Sequence, residues 1–150
     1  MMASVDEVLA GMSEPAPEDE ELCFVIDRDL RIIEIPERGR VLGVEGDKDV
    51  NRVRFKMPRY YRGTDLAGFE IRIYYENADG ERNIAAGEDK SVSNDAIRFT
   101  WVVGADALEM HGNVRFMVRF IRLDESGNAV QVYGTGIGSG ANLEGMNAGE

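Results

Sequence analysis

The sequence predicts an all-β protein. The expected fold is a single antiparallel β-sandwich of Ig-like build over residues 22–135, preceded by an acidic arm with a short helix or flexible segment at 1–21 and followed by a glycine-rich tail at 136–150. Two observations predict it. Apolar side chains occupy every second position in successive runs: Val53 and Phe55, then Phe69, Ile71, Ile73 and Tyr75, then Ile97, Phe99 and Trp101, then Val114, Phe116, Val118 and Phe120. Successive side chains of a strand point to opposite faces, so each run presents one buried and one wet face, as antiparallel sheets do. In addition, Asn77–Ala78–Asp79–Gly80 separates alternating runs with an Asp-Gly pair, a hairpin signal, and Asp124–Gly127 reads as a second hairpin turn. The expected core is Phe55, Phe69, Ile71, Ile73, Phe99, Trp101, Val114, Phe116 and Val118, which share the buried phase.

Ser4–Met12 places Val5, Val8, Leu9 and Met12 at i, i+3, i+4 and i+7, one face of a helix. Ser4 ahead of Asp6 and Glu7 suits a helix start, although Gly11 weakens the segment and one short helix is marginal alone in water. Ser13–Glu21 reads as a polar, proline-containing linker. Leu22–Ile26 and Arg31–Ile35 read as strands joined by a turn at Asp27–Asp29, the second ended by Pro36, which cannot donate to a ladder. A short strand at Val41–Val44 lies between glycine loops, and Asp49–Lys56 follows. Pro58–Gly63 is expected to leave the sheet as a loop. Ala67–Glu76 and Arg82–Ala85 form one hairpin, Ala96–Val103 is a strand, and Gly104–Met110 is expected to make one helical turn. Asn113–Leu123 and Asn128–Thr135 form the second hairpin. Residues 136–150 are expected to fray or to order on a partner.

At 150 residues the chain is long enough to bury a core without staples. No window holds the roughly 20 apolar residues a membrane helix needs, and no basic-then-apolar start marks a secretory signal. Cys23 is the single cysteine, which leaves no intrachain disulfide, and it is expected to be a small buried apolar residue. The net charge of −11 is unevenly placed, because residues 1–21 hold Asp6, Glu7, Glu14, Glu18, Asp19, Glu20 and Glu21 and no Lys or Arg. Bulk acidity argues against nucleic acid as a partner.

The sequence offers few motifs of chemistry. Gly136–Ala141 fits the GxGxxG/A pattern, but a dinucleotide site needs a helix opening on that turn, and too little chain follows for a βαβ unit. Asp47–Asn51 resembles the start of a calcium loop, yet the positions needing Gly and Glu are Arg52 and Pro58, so a polar turn is expected. His111, the single histidine, has no nucleophile motif beside it, and no Cys/His cluster has zinc spacing. No catalytic residue, metal or cofactor is therefore expected. The one charge anomaly runs from Arg52 to Arg62, with Arg52, Arg54, Lys56, Arg59 and Arg62, no acid, and Tyr60 and Tyr61 interleaved. Arg52, Arg54 and Lys56 read as the wet face of a strand. Arg59, Tyr60, Tyr61 and Arg62 are the better candidates for contact with a partner, since Tyr and Arg are enriched at binding hot spots. The stripe Val5, Val8, Leu9 and Met12 is the second candidate, because a lone short helix cannot bury it.

Three blocks, RIIEIPERGRVLGVEGDKDVNRVRFKMPRYYRGTDL (Arg31–Leu66), IRIYYENADGE (Ile71–Glu81) and AIRFTWVVGADALEMHGNVRFMVRF (Ala96–Phe120), resemble a family of small tail-associated proteins of phages and prophages of Gram-positive bacteria. The layout of the last block is also similar to the N-terminal sandwich of baseplate upper proteins. The chain departs from them in its acidic N-terminal segment. The resemblance implies a non-enzymatic virion structural or assembly protein: a baseplate, tail-fibre adaptor or decoration component. It implies other virion subunits as partners, a homo-oligomeric state, and location in the virion after assembly in the host cytoplasm. The alternative is a carbohydrate- or host-receptor-binding sandwich using an exposed platform of Tyr60 and Tyr61. An enzyme would need a cleft with converging titratable groups.

Overall fold

The alternating runs become strands with the expected phase, in a computed structural model that describes residues 22–146. Among these residues the strands are β1 (Phe24–Ile26), β2 (Ile33–Glu34), β3 (Val41–Val44), β4 (Asn51–Pro58), β5 (Tyr60–Tyr61), β6 (Thr64–Asp65), β7 (Glu70–Glu76), β8 (Arg82–Ala86), β9 (Glu88–Val92), β10 (Ala96–Val103), β11 (Gly112–Leu123), β12 (Ala129–Gly134) and β13 (Gly138–Leu143), with one 3₁₀ turn at Glu37–Gly39. The fold is all-β. The helix expected at Ser4–Met12, and with it Val5, Val8, Leu9 and Met12, lies outside the described residues, as does the end of the chain beyond residue 146.

Two sheets face each other. One has the order β2-β1-β4-β10-β9, and the other β3-β13-β11-β7-β8 with β12 also on β11. Pairing is mostly antiparallel, but β1 runs parallel to β4 and β3 parallel to β13. The strict antiparallel expectation misses these two pairs because a parallel pair needs a long crossover and leaves no turn to read. The crossover here is the chain from β1 to β4, which leaves the first sheet after β2, turns at Glu37–Gly39, and enters the second sheet as β3. On the opposite flank, β8 and β9 form one run that passes from the second sheet to the first at Gly87. A Cβ on Gly87 would lie 2.8 Å from Ile71 Cγ2, so the crossing chain lies directly on the core. Strands that change sheets in this way close the corners of a sandwich.

The core lies between the sheets, and all of its expected members are buried. Phe55 and Phe99 face each other across β4 and β10 with stacked rings 4.9 Å apart. Phe116 of the second sheet meets Phe55 at 6.3 Å and Trp101 at 5.4 Å, and Tyr75 meets Trp101 at 5.3 Å. Cys23 is buried, as its apolar surroundings in sequence lead one to expect. Gly104–Met110 forms turns rather than a helical turn, with Ala107 N–H donating to Gly104 O and Leu108 N–H to Ala105 O. Ala107 and Leu108 plug the end of the core there.

The glycine-rich segment is the clearest departure from expectation. The sandwich does not stop at residue 135, because Gly138–Leu143 is β13, which pairs with β11 on one side and β3 on the other. β12 and β13 both lie along the same edge of β11, and Thr135 bridges the bend between them. Its N–H donates to Val118 O at 2.9 Å, and its hydroxyl accepts from Val118 N–H at 3.0 Å, replacing a carbonyl in the ladder. Gly140 is present for close approach: an added Cβ would lie 2.6 Å from Leu42 Cγ. Glycine therefore signals tight packing of β3 onto β13 here, where composition reads as flexibility.

Two outcomes follow for stability. Trp101 is fully buried, so Trp101→Ala should cost about 3–5 kcal/mol in chemical denaturation. An unchanged denaturation midpoint would overturn the core assignment. Gly140→Ala should cost about 1–3 kcal/mol through overpacking, whereas Gly68→Ala, with nothing within 4 Å of the added carbon, should be nearly neutral. Equal stability of the two variants would show that β3 does not pack on β13 as described.

Candidate functional site

The residues from Arg59 to Arg62 do not form a loop. Tyr60 and Tyr61 make β5, which pairs with β6 as a small flap, Tyr60 opposite Asp65 and Tyr61 opposite Thr64. Leu66, buried just after β6, pins the flap to the core. Arg59 holds its base: Nε and Nη2 donate to the Asp65 carboxylate at 3.0 and 2.9 Å, and Nη1 donates to Ser93 O. The guanidinium of Arg59, together with the Ala67 N–H, holds the Asp65 carboxyl down to a pKa of about 2. Adjacent strand residues point opposite ways, and the two tyrosines do so. Tyr60 is 43% exposed beneath the Arg59 guanidinium. Tyr61 turns inward, its ring 4.9 Å from Tyr133.

Arg31 locks that inward side. Its guanidinium lies 4.7 Å from the Tyr61 ring and 4.0 Å from the Tyr133 ring. It donates to Tyr61 Oη and to Gly134 O, both at 2.9 Å. The backbone carbonyl of Arg31 accepts from Gly136 N–H. Arg31 has a φ of +64°, a left-handed conformation that costs energy in a non-glycine residue and is held here by these contacts. Tyr133 donates to Arg28 O, and burial raises its pKa to about 12. Tyr61 is thus a structural residue, and an adjacent pair of exposed rings is not formed. Arg62, with a φ of +46°, also lies over the Tyr61 ring, 5.1 Å from its centroid. Arg52, Arg54 and Lys56 form the outer face of β4, as expected for a wet face.

A second feature is visible only once the strands are paired. The outer face of the six-stranded sheet carries a row of apolar side chains running across the strands. Ile84 of β8 lies beside Tyr74 of β7, Tyr74 beside Met117 of β11, and Ile137 follows at the bend before β13. Together they line a groove of about 450 Å³. On one side runs the row Arg82, Glu76 and Arg115, where Glu76 accepts from Arg82 Nε at 2.8 Å and Arg115 Nη1 at 3.2 Å. These two guanidiniums, Arg82 first, lower the Glu76 pKa. On the other side Arg72 pairs with Glu70, and Arg119 lies over the Tyr74 ring at 4.6 Å. Ile84 and Ile137 are 52% and 59% exposed, so the groove floor is wet at both ends.

The remaining polar residues close the fold. Glu45 accepts from the His111 backbone N–H, from His111 Nδ1 at 3.1 Å, and from Gly145 N–H. Asp47 accepts from Val44 N–H and Asn51 Nδ2, which makes the calcium-like sequence a turn. Asp106 accepts from Tyr75 Oη at 2.6 Å and from Asn83 Nδ2, and burial followed by this contact raises the Tyr75 pKa. The GxGxxG-like segment runs into β13 and opens no helix. Among the described residues, no group of three or more His, Cys, Asp or Glu is placed to hold a metal ion, and no helix is long and apolar enough to cross a membrane. The sequence matches no protein-family model and no curated protein.

The His111–Glu45 pair gives a pH-dependent expectation. The hydrogen bond to Glu45 raises the His111 pKa above 6.5, and the same bond, the His111 N–H and the Gly145 N–H lower that of Glu45 below 4.5. A raised histidine contributes stability below its unfolded pKa and loses it as pH rises through the folded value. A lowered carboxyl contributes above its unfolded pKa and loses it as pH falls through the folded value. The stability difference between the natural chain and His111→Ala should therefore be largest between about pH 4.5 and 6.5 and shrink on both sides. A difference that stays constant from acid to alkaline pH would show that the pair is not coupled to folding.

Proposed function

We propose that this chain is a non-enzymatic structural and assembly protein of a phage virion, a baseplate, tail-fibre adaptor or decoration component that works through contacts with other subunits and with copies of itself. The observation that carries this reading is the long apolar row on the outer sheet face, flanked by arginines and wet at both ends. Sheet faces of this kind serve docking better than catalysis, and their energy would come from apolar burial with charge fixing the orientation. The blocks that resemble phage tail-associated proteins cover β2 to β7, β10 and most of β11, in both layers of the sandwich, and leave out β8 and β9. The acid–base groups His111 and Glu45 bond to each other, as do Tyr75 and Asp106, and both pairs tie segments of the fold together.

A second reading keeps one supporting observation. The exposed Tyr60 ring beside Arg59 could stack against a sugar of the host surface, although a glycan site built on it would have a single-ring platform. Mass spectrometry of purified particles from a strain that encodes the chain tests the main reading. The chain should be present in fixed stoichiometry with tail proteins. Its absence from particles, with abundant protein left in the soluble lysate, would overturn the virion assignment.

A further inference from the structure

We infer that the groove on the outer face of the six-stranded sheet receives residues 1–21 of a second copy of this chain. The inference deepens the assembly role and rests on it, because it names the surface and the occupant through which copies join. The groove has a defined shape. Ile84, Tyr74, Met117 and Ile137 form one apolar row across neighbouring strands. With strands roughly 4.8 Å apart, that row is about 14 Å long. An arginine row lies on either flank, Arg82 and Arg115 on one and Arg72 and Arg119 on the other, and the acids among them, Glu70 and Glu76, already bond to arginines. The face is therefore net positive in a chain whose net charge is −11.

The occupant must be apolar along one line and acidic around it, and one segment of this sequence has that composition. Residues 1–21 contain seven acids, no Lys and no Arg, and Val5, Val8, Leu9 and Met12 at helical spacing. As a helix, that stripe spans about 10 Å, which fits within the apolar row. The acids that follow, Glu14 and Glu18–Glu21, then lie within reach of the flanking arginines. The apolar row Ile84, Tyr74, Met117 and Ile137 favours the groove over the equally basic outer face of β4, whose outward residues are Arg52, Arg54 and Lys56. The assembly role selects a second copy, and the crosslinking below separates it from the chain's own groove, since residues 13–21 can span up to roughly 30 Å. The described chain enters through β1 in the five-stranded sheet, whereas the groove lies on the outer side of the other sheet, and both flanks between them are closed by strands that change sheets.

Sedimentation velocity and crosslinking of the full chain test this. The natural chain should self-associate, more weakly at higher salt because part of the contact is exposed charge. Met117→Glu, Ile84→Glu and Leu9→Glu should each weaken association by about tenfold or more, and combining Leu9→Glu with Met117→Glu should add little, since both break one contact. Circular dichroism identical to the natural chain confirms that the groove variants fold, and Ile84→Glu on an exposed edge strand keeps the test available if Met117→Glu does not. Mixing a Leu9→Cys copy with an Ile84→Cys copy should give a disulfide-linked pair under mild oxidation. A monomeric natural chain, association unaffected by folded groove variants, or crosslinking only when both cysteines lie on one chain would each overturn the inference, the last by showing that the arm folds onto its own sandwich. If copies join through the groove but purified particles lack the chain, the virion reading fails while the docking stands. If particles contain the chain and the groove variants join normally, only the docking fails.

Discussion

The aromatic seam between the two sheets is the interaction on which the other features depend. Phe55 and Phe99 stack within one sheet, and Phe116 reaches across to Phe55 and Trp101, with Tyr75 against Trp101 and Phe120 against Phe99. Offset and edge contacts of this kind add about 0.5–1.5 kcal/mol each beyond area burial. Their stiffer consequence is geometric. β4 and β10 in one sheet, and β7 and β11 in the other, must hold fixed registers for these rings to meet, and a one-residue slip would turn the inward rings of the slipped strand to solvent. Once those registers are held, the outward residues of β7 and β11 are aligned too, which is how Tyr74 comes to lie beside Met117.

Sealing the flanks is the second constraint. A two-layer sandwich exposes its core at both sides unless the chain covers it. This chain crosses from sheet to sheet on each flank, at Glu37–Gly39 and at Gly87. Close approach at these crossings explains the glycines better than flexibility does: a Cβ on Gly39 would lie 2.5 Å from Phe24, and one on Gly87 would touch Ile71. β9, which forms an outer edge, is exposed along its length and carries Glu88, Asp89 and Lys90. Charge on an edge discourages unintended pairing with another sheet.

Electrostatics divides the molecule by role. The acids of the described fold mostly serve as local acceptors: Asp65 for Arg59, Glu76 for Arg82 and Arg115, Glu45 for His111. These exposed pairs are worth little individually. They fix side-chain directions, so the arginines beside the groove keep set positions. The uncompensated negative charge of the chain is concentrated in residues 1–21, outside the described fold. In the proposed docking, an anionic segment and a cationic face in one sequence would give self-recognition without a separate partner, tuned by ionic strength.

Much of this fold was legible in the residues themselves. Alternation set the buried phase of β4, β7, β10 and β11, so that Phe55, Ile73, Phe99, Trp101 and Phe116 could be assigned to the core before any pairing was known, because the period of a strand is a local property. The hairpins after Glu76 and Leu123 were legible for the same reason, since the turn chemistry of Asp79–Gly80 and of Asp124–Gly127 is local. The parallel pairs β1/β4 and β3/β13 were not, nor was β9, whose charged residues carry no alternation. β13 was misread because glycine signals flexibility in isolation and close packing only when Leu42 is known to lie against it. Tyr60 and Tyr61 were singled out together, yet their opposite directions follow from a flap that a loop reading does not contain. The apolar row from Ile84 to Ile137 could not be seen at all, because its members come from four segments of the chain. Local residue order decides which side of a strand faces inward. Which outward residues become neighbours is decided by strand order and register, and those are set by packing between residues far apart in the chain.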